Sequence, residues 1–134
     1  MTALESAHVR IARPTVDIDA AVRFWVEGVG LELYGRQPGD DGTLEELAFI
    51  GLRGASWHLE LVRDTEIQPA PTPEDLLVLY LEAPLDEALL ARIEAAGGIR
   101  TPSRNDWWDR GGVTFADPDG YLLVLTSRSW SPSA

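Results

Sequence analysis

The same order of predicted elements occurs twice in this chain of 134 residues. Each half is predicted to be a strand, a helix and three further strands, from the strand spacing and the helical spacing of its apolar residues. Asp19 and Asp86 are predicted to begin the two helices 67 residues apart, and Gly30 and Gly97 to end them at the same offset. Asp is a favoured N-cap residue, and glycine is favoured just after a helix end. The equal spacing of both signals indicates a duplicated βαβββ unit.

The first module is predicted over about 8–63. Its first strand, "HVRIAR", ends at Pro14, and its helix contains the apolar stripe of "AAVRFWVEGVG", for which Asp17 is an alternative N-cap to Asp19. Trp25 lies at helical spacing in this stripe, so we expect it in the core. The other strands of the module are predicted in "LELYGRQ", "LEELAFIGL" and "SWHLELV".

A proline-rich linker is predicted over about 66–74, where "EIQPAPTPE" carries three prolines among polar neighbours. The second module is predicted over about 75–128, with the strand "DLLVLYLEA", the helix "EALLARIEAAGG" and a last strand after the turn signal Asp117-Pro118-Asp119-Gly120. The length suits a single domain spanning 1–134. Each helix covers one face of its sheet, so the opposite faces are left to contact or enclose something else.

The charge and composition exclude several classes of function. The formal net charge is −11 and the sequence pI about 4.4, which argues against nucleic acid and anionic membrane surfaces as partners. There is no cysteine and no lysine, so disulfides, thiolate ligands and Schiff-base chemistry are excluded. The N-terminal residues lack a basic-then-apolar signal layout, and no stretch reaches about 18 apolar residues. We therefore expect a cytoplasmic protein with no membrane partner.

Three features together resemble the vicinal oxygen chelate superfamily: the duplication, the first-helix pattern "D-x-D…FW…G-x-G-L" and the ending "F-x-DPDGYxLxL". This superfamily includes glyoxalases, extradiol dioxygenases, and bleomycin- and fosfomycin-resistance proteins. The resemblance covers residues 8–127. It implies an α+β fold in which duplicated βαβββ modules form two half-open sheets around a cleft. It also implies a small molecule as the ligand and a homodimer as the assembly.

The resemblance further implies four metal-ligand positions in the cleft, which fall in this chain on Arg10, Glu60, Leu77 and Val124. Only the Glu60 carboxylate can bind a metal ion, and one carboxylate does not hold a transition metal. We therefore expect no metal and no other cofactor. Arg10 is predicted to pair with Glu60 in place of the cation, either as a buried pair that only closes the floor of the cleft or as a group that also binds an anionic or carbonyl-bearing ligand. The first hypothesis is thus a metal-free small-molecule-binding protein.

The two histidines leave an alternative open. His8 precedes Arg10 by two residues and His58 precedes Glu60 by two, so each histidine shares a strand face with its neighbour. If the first strand is shifted by two residues, His8, His58 and Glu60 become a two-histidine, one-carboxylate set for a divalent metal. The protein would then be a metal-dependent lyase, isomerase or dioxygenase. Glu60 could also act as a general base without metal, although a nearby arginine would lower the pKa of its carboxyl.

Two adjacent tryptophans, Trp107 and Trp108, lie in the predicted loop "RNDWWDRGG" before the penultimate strand. They are predicted either to form a stacking wall for a flat ligand or to fill the core or a dimer interface. No catalytic residue is predicted beyond the candidate Glu60, so the sequence does not decide whether the protein is an enzyme. A purely structural or regulatory dimer is a third hypothesis. The predicted ligand-binding residues are Arg10, His58, Glu60, Trp107, Trp108 and Val124.

Overall fold

The computed structural model describes residues 2–132 and contains two modules of the predicted kind. The elements of the first module are β1 (Val9–Pro14), α1 (Ile18–Arg23) with a π-helical continuation (Phe24–Val29), β2 (Glu32–Pro38), β3 (Leu44–Gly51) and β4 (Trp57–Asp64). Those of the second are β5 (Leu76–Tyr80), α2 (Glu87–Ala95), β6 (Ile99–Arg100), a 3₁₀ turn (Asp106–Asp109), β7 (Gly112–Ala116) and β8 (Leu122–Thr126). Residues 68–72, in the proline-rich connector, have no regular secondary structure.

The described residues form two separate four-stranded sheets with the same strand order. The first sheet is ordered β1-β4-β3-β2 and the second β5-β8-β7-β6. In each sheet the first strand of the module runs parallel to the last, and the other neighbours are antiparallel. The predicted α+β duplication of βαβββ modules is therefore confirmed. β1 and β5 are edge strands in this arrangement.

The helix ends follow the predicted signals with one correction. The Asp86 side chain caps α2 by accepting a hydrogen bond from the Ala88 N–H at 2.9 Å, as predicted. In the first module the cap is Asp17, whose backbone is extended, and the prediction of Asp19 is wrong because that residue is already helical. Gly30 and Gly97 follow the two helices with φ values of 98° and 104°, a conformation that favours glycine.

The two modules share one hydrophobic core on the helix side of both sheets. The core includes Trp25, as predicted, and joins Leu59 and Leu61 of β4 to Leu123 and Leu125 of β8. Burial of this shared apolar surface holds the modules together, since the sheets themselves do not join.

The helices of the two modules also approach each other closely. A Cβ atom built on Gly28 would lie 3.0 Å from the Cβ of Ala96 and 3.3 Å from the Cα of Ile93. The Arg92 Nε donates a hydrogen bond to the Gly28 carbonyl at 2.9 Å, and an Arg23 N–H donates to the Ala95 carbonyl at 2.7 Å. Glycine is needed at this crossing because any side chain would push the two backbones apart.

The predicted Asp-Pro-Asp-Gly turn connects β7 to β8 and contacts the first module. The Asp119 carboxylate accepts a hydrogen bond from the Val16 N–H at 3.1 Å, and the Arg13 guanidinium lies 4.4 Å from the centre of the Tyr121 ring. Within the turn, the buried Asp117 carboxylate accepts from the N–H groups of Asp119 and Tyr121, each at 2.9 Å. The turn therefore both reverses the chain and fixes one module against the other.

The face of each sheet that is turned away from the helices is called its outer face below. Glu60 lies between the core residues Leu59 and Leu61 and therefore points to the outer face. The prediction that Leu77 occupies a ligand position is wrong, because Leu77 pairs with Leu123 and packs against the core. A change of one residue along a strand reverses the face, so it is Val78 that lies beside Val124.

No helix among residues 2–132 is long and apolar enough to cross a membrane.

Candidate functional site

Three of the six predicted ligand-binding residues lie together on the outer face of the first sheet. The parallel register of β1 and β4 places Arg10 beside His58 and Ala12 beside Glu60. His8 precedes β1 by one residue and reaches the same face. Arg10 and His8 therefore both belong to one cluster with His58 and Glu60, and which of the two binds a ligand remains a prediction.

Arg10 pairs with Glu60, as predicted. The Arg10 Nε lies 2.8 Å from a Glu60 carboxylate oxygen, with 56% of the arginine side chain exposed and 9% of the glutamate side chain. The carboxylate is thus neutralised from inside the protein, while much of the guanidinium is open to solvent. A guanidinium carries five N–H donors, and the contact with Glu60 uses the one on Nε. The other N–H groups of Arg10 can donate hydrogen bonds to a ligand oxygen.

Glu60 is held as an anion by two neighbours. Besides Arg10, the His58 Nε2 lies 2.7 Å from the same carboxylate oxygen. Burial raises the pKa of the Glu60 carboxyl, but the hydrogen bonds and charges of Arg10 and His58 outweigh burial and lower that pKa. The predicted lowering by arginine is confirmed, and it makes Glu60 a weak base near neutral pH.

The two histidines are hydrogen-bonded to each other. The His8 Nε2 lies 2.7 Å from the His58 Nδ1, with 4.9 Å between ring centroids and 26° between ring planes. His8 is exposed and His58 is half-buried. The cluster therefore runs in a line from the surface to the buried carboxylate: His8, His58, Glu60.

This line does not suit a metal ion. The two ring nitrogens of His58 point to different partners, one to His8 and one to Glu60, so the three residues do not direct donors at a common point. Across residues 2–132 no group of three or more His, Cys, Asp or Glu side chains has a metal-binding arrangement. The donors present do not fit the divalent ion that the superfamily implies.

Three neighbours of the cluster were not predicted. Phe49 pairs with Glu60 and Gly51 with His58 across β3 and β4. The Tyr34 ring covers Gly51, since a Cβ built there would lie 3.0 Å from its Cε2 and 3.2 Å from its hydroxyl. Two aromatic rings therefore border the polar group. Strand alternation in the sequence indicates which residues of β3 share a face. Only the register of β3 against β4 shows which of them lie beside Glu60 and His58.

The other predicted ligand-binding residues lie in the second module. Trp108 packs edge-on against Tyr80 at 6.4 Å between ring centroids, and the Arg128 guanidinium lies 3.8 Å from the centre of the Trp107 ring. These contacts are all within the second module, and Trp107 is 46% exposed. The stacking role of both tryptophans remains a prediction. Val124 is fully buried at 0% exposure, so its side chain presents no surface to a ligand in this arrangement.

Two surface cavities of about 320 and 470 Å³ lie elsewhere in the first module. Val16, Glu45 and Arg63 line both of them. The charged lining that they share, Arg63 and Glu45, is an exposed pair with 2.7 Å between the Arg63 Nε and a Glu45 carboxylate oxygen. The cluster around Arg10 is the stronger candidate site, because it combines a buried carboxylate with two imidazoles and an exposed guanidinium.

Family models and one relative match almost the whole chain. The YycE-like N-terminal domain matches residues 9–62 and the YycE-like C-terminal domain residues 74–127. The unmatched residues 63–73 overlap most of the proline-rich connector, about 66–74. The uncharacterized protein YycE of Bacillus subtilis (strain 168) is 34% identical in an alignment of 130 positions that covers 92% of this chain and 90% of YycE.

Solved structures share the fold over similar lengths. A YycE protein from Bacillus subtilis, described as a putative glyoxalase/fosfomycin resistance protein, matches with a TM-score of 0.81 and 32% identity, covering 96% of this chain and 95% of its own. TnmS3, an antibiotic binding protein from Streptomyces sp. CB03234, matches with a TM-score of 0.64 and 28% identity, covering 92% and 97%. Because both modules are matched and the duplicated sheets are in place, the chain belongs to the YycE-like family, within the vicinal oxygen chelate superfamily.

Proposed function

We propose that this chain is a metal-free binding protein for a small molecule that carries a carbonyl or anionic group, and that Arg10 is the residue that holds this group. The observation behind the proposal is the exposed Arg10 guanidinium anchored on the buried Glu60 carboxylate, at 2.8 Å. A guanidinium held in this way is pre-oriented, so binding a ligand oxygen costs little further side-chain entropy.

The surroundings of Arg10 favour an organic ligand over a simple ion. Glu60 already balances the arginine charge, so the site offers directional hydrogen bonds more than net positive charge. Phe49 and Tyr34 supply apolar surface on the same face. A compact molecule with one oxygen-bearing group and an apolar body matches this combination.

The relatives support the same class of function. TnmS3 is an antibiotic binding protein, and the YycE protein of Bacillus subtilis is described as a putative glyoxalase/fosfomycin resistance protein. Both are similar to this chain over most of its length. We carry over the class of ligand, a small molecule, and leave the individual compound to experiment.

We also propose that the protein works as a homodimer. The outer face of the first sheet is open in one chain, and β1 and β5 are both edge strands. The β5 edge, "LLVLY", carries no charged residue, which is unusual for an unprotected edge. A second copy would cover these edges and complete a cleft over Arg10, and sedimentation equilibrium should give twice the 14.7 kDa of one chain. A mass of one chain at all concentrations would refute the dimer.

The cytoplasm is the compartment that we propose. The chain has no cysteine, so its folding does not depend on an oxidising environment.

Metal-dependent lyase or dioxygenase chemistry through His8, His58 and Glu60 is the competing function.

The binding proposal is tested with metal-stripped protein and a panel of small carboxylates, phosphonates and ketones, screened by ligand-observed NMR. Hits should bind wild-type protein and lose about tenfold in affinity with Arg10→Gln, since one charge-assisted hydrogen bond is removed. Arg100→Gln is the matched control, because Arg100 also pairs with a glutamate, Glu94, at 3.0 Å but in the second module. Equal loss in both variants, or binding only after a divalent metal is added, would reject the proposal.

A further inference from the structure

We propose that Arg128 and Trp107 form a second binding site, in the second module, for a small planar aromatic acid. The guanidinium of Arg128 binds the carboxylate or phosphate group of this ligand, and the exposed surface of the Trp107 indole contacts its ring. Neither residue belongs to the cluster around Arg10. The inference therefore goes beyond the proposed function and does not depend on it.

Arg128 carries a charge that no carboxylate among residues 2–132 neutralises. The chain has 11 arginines and 22 acidic residues, and eight of the arginines form an ion pair with Asp or Glu. The three that form none within the described part of the chain are Arg13, Arg92 and Arg128. Because acidic partners are in excess, an arginine without one is unusual here. Its positive charge is available to an anionic ligand.

The other two of these three arginines connect the modules. The Arg92 Nε donates a hydrogen bond to the Gly28 carbonyl across the helix crossing at 2.9 Å. The Arg13 guanidinium lies 4.4 Å from the centre of the Tyr121 ring, which belongs to the second module. The side-chain contacts of Arg128 to residues 2–132 stay within its own module. A role in joining the modules therefore does not explain Arg128.

The Arg128 guanidinium is held in a fixed orientation. Its Nε donates a hydrogen bond to the Arg110 carbonyl at 2.9 Å, and its central carbon lies 3.8 Å from the centre of the Trp107 ring. The N–H groups on its two terminal nitrogens donate no hydrogen bond to residues 2–132. These groups form a planar fork that matches carboxylate or phosphate oxygens. Because the fork is already oriented, binding costs little further side-chain entropy.

The loop that contains Trp107 is fastened to the end of β8, next to Arg128. The Asn105 side chain accepts a hydrogen bond from the Trp107 N–H at 3.0 Å, and the Gly111 carbonyl accepts one from the Ser127 N–H at 2.9 Å. Gly111 has a φ value of 77°, a conformation that favours glycine. These bonds fix the indole ring beside the guanidinium, so the two groups are presented together.

Trp107 exposes aromatic surface that the packing of its loop does not require. It is 46% exposed, whereas Trp108 packs edge-on against Tyr80 at 6.4 Å between ring centroids and anchors the loop. Trp130, two residues after Arg128, is 63% exposed as well. Exposed tryptophan beside arginine is typical of binding surfaces, and an indole attracts flat rings. Together, the fork and the indole select a planar ring that carries a carboxylate or phosphate group.

The site is tested on the full chain by ¹H–¹⁵N NMR, observing the Trp107 indole N–H and the Arg128 Nε–H. The probes are indole-3-acetate and phenyl phosphate, which carry the two candidate anionic groups on a planar ring. At least one should give saturable shifts of both signals, and a response to only one of them identifies the anionic group. Acetate, inorganic phosphate and indole should each bind about tenfold more weakly. No saturable shift with either probe, or equal affinity for inorganic phosphate, would overturn the inference.

Variants of the full chain test the role of the guanidinium. Arg128→Gln should weaken binding of the better probe about tenfold, because a charge-assisted hydrogen bond is removed. Arg104→Gln is the matched control and should bind as wild-type protein does, since Arg104 lies in the same loop but is exposed and pairs with Glu74 at 3.8 Å. Arg128→Lys keeps the charge without the planar fork, so it should lose less affinity than Arg128→Gln, and it serves if the glutamine loosens the loop. Undiminished binding in Arg128→Gln, or equal losses in Arg104→Gln and Arg128→Gln, would refute the site.

Discussion

The Arg10 guanidinium and the Glu60 carboxylate meet at 2.8 Å, although 56% of the arginine side chain is exposed and only 9% of the glutamate side chain. An exposed cation thus neutralises a buried anion, which is costly to leave alone in a low-dielectric setting. Arg10 stands at a position where the resemblance to the superfamily implies a metal ligand, and its guanidinium is held there by Glu60. The consequences of this pair can be measured in stability, in metal binding and in ligand binding.

Glu60→Gln should destabilise the protein by about 1–2 kcal/mol at pH 7, because the two hydrogen bonds to Arg10 and His58 lose their charge. The folded-state pKa of Glu60 lies below its ordinary value of 4.5, so this stability is present above that pH and is lost as the pH falls through the folded pKa. Urea denaturation at pH 7 and at pH 3 measures it. Glu32→Gln, which breaks an exposed pair with Arg53, is the control, and an equal effect would contradict the account.

Asp117→Asn should stabilise the protein near neutral pH. Burial raises the pKa of Asp117 to about 6, against hydrogen bonds from the Asp119 and Tyr121 N–H groups that lower it. The protonated form is favoured in the folded state, so stability is fully present below the ordinary pKa of 3.8 and is lost as the pH rises to about 6. The asparagine oxygen can keep both hydrogen bonds, so the variant should gain about 1–3 kcal/mol at pH 7.5 and little at pH 4.

The comparison for Asp117 is Asp64→Asn, at another turn where the carboxylate accepts from a backbone N–H, that of Glu66, at 2.9 Å. Its change should stay within about 0.5 kcal/mol at both pH values. Denaturation curves for the two variants at pH 4 and 7.5 suffice. If Asp117→Asn is less stable than wild-type protein at pH 7.5, the buried charge of Asp117 does not destabilise the folded state, and the prediction is wrong.

Gly28→Ala should destabilise the protein by about 1–2 kcal/mol, because the new methyl group would meet Ala96 and Ile93 of the opposite helix. Gly35→Ala is matched to it, since a Cβ atom at Gly35 has no neighbour within 4 Å. Thermal denaturation compares the two variants. A neutral Gly28→Ala would mean that the contact between the two helices is not tightly packed.

Metal-stripped protein should bind no stoichiometric Zn(II), Mn(II), Ni(II) or Fe(II), because His58 uses both ring nitrogens within the line from His8 to Glu60. Isothermal titration and elemental analysis of protein purified without chelator measure this. A stoichiometric metal that disappears in His8→Ala would contradict it and would favour the metal-dependent alternative.

The sequence was sufficient for the fold because its signals were local. Asp86 and the glycines after both helices mark boundaries through their own backbone conformations. Because the same order of elements occurs twice, these local signals also predicted two modules of the same topology. The two sheets have the same strand order.

Faces and pairings were harder to predict, because they depend on register. The offset of 67 residues between the predicted helix caps was applied to the strands, where Ala12 beside Glu60 corresponds to Val78 beside Val124 (78 − 12 = 66). Leu77 was therefore assigned one residue out of register, to the wrong face of its sheet. The pairing of Arg10 with Glu60 was predicted because the resemblance implied that both positions lie in one cleft and because their charges are opposite. The bond between His8 and His58 joins residues 50 positions apart and depends on the parallel pairing of β1 with β4.

The most direct test of the central claim is a ¹H–¹⁵N NMR titration of metal-stripped protein with the best hit of the small-molecule screen, observing the Arg10 Nε–H and the histidine side chains. Our account predicts saturable shifts of the Arg10 Nε–H without any metal, with smaller shifts at His8 and His58 and weak binding in Arg10→Gln. Shifts confined to the second module, or shifts at Arg10 that require a divalent metal, would contradict it.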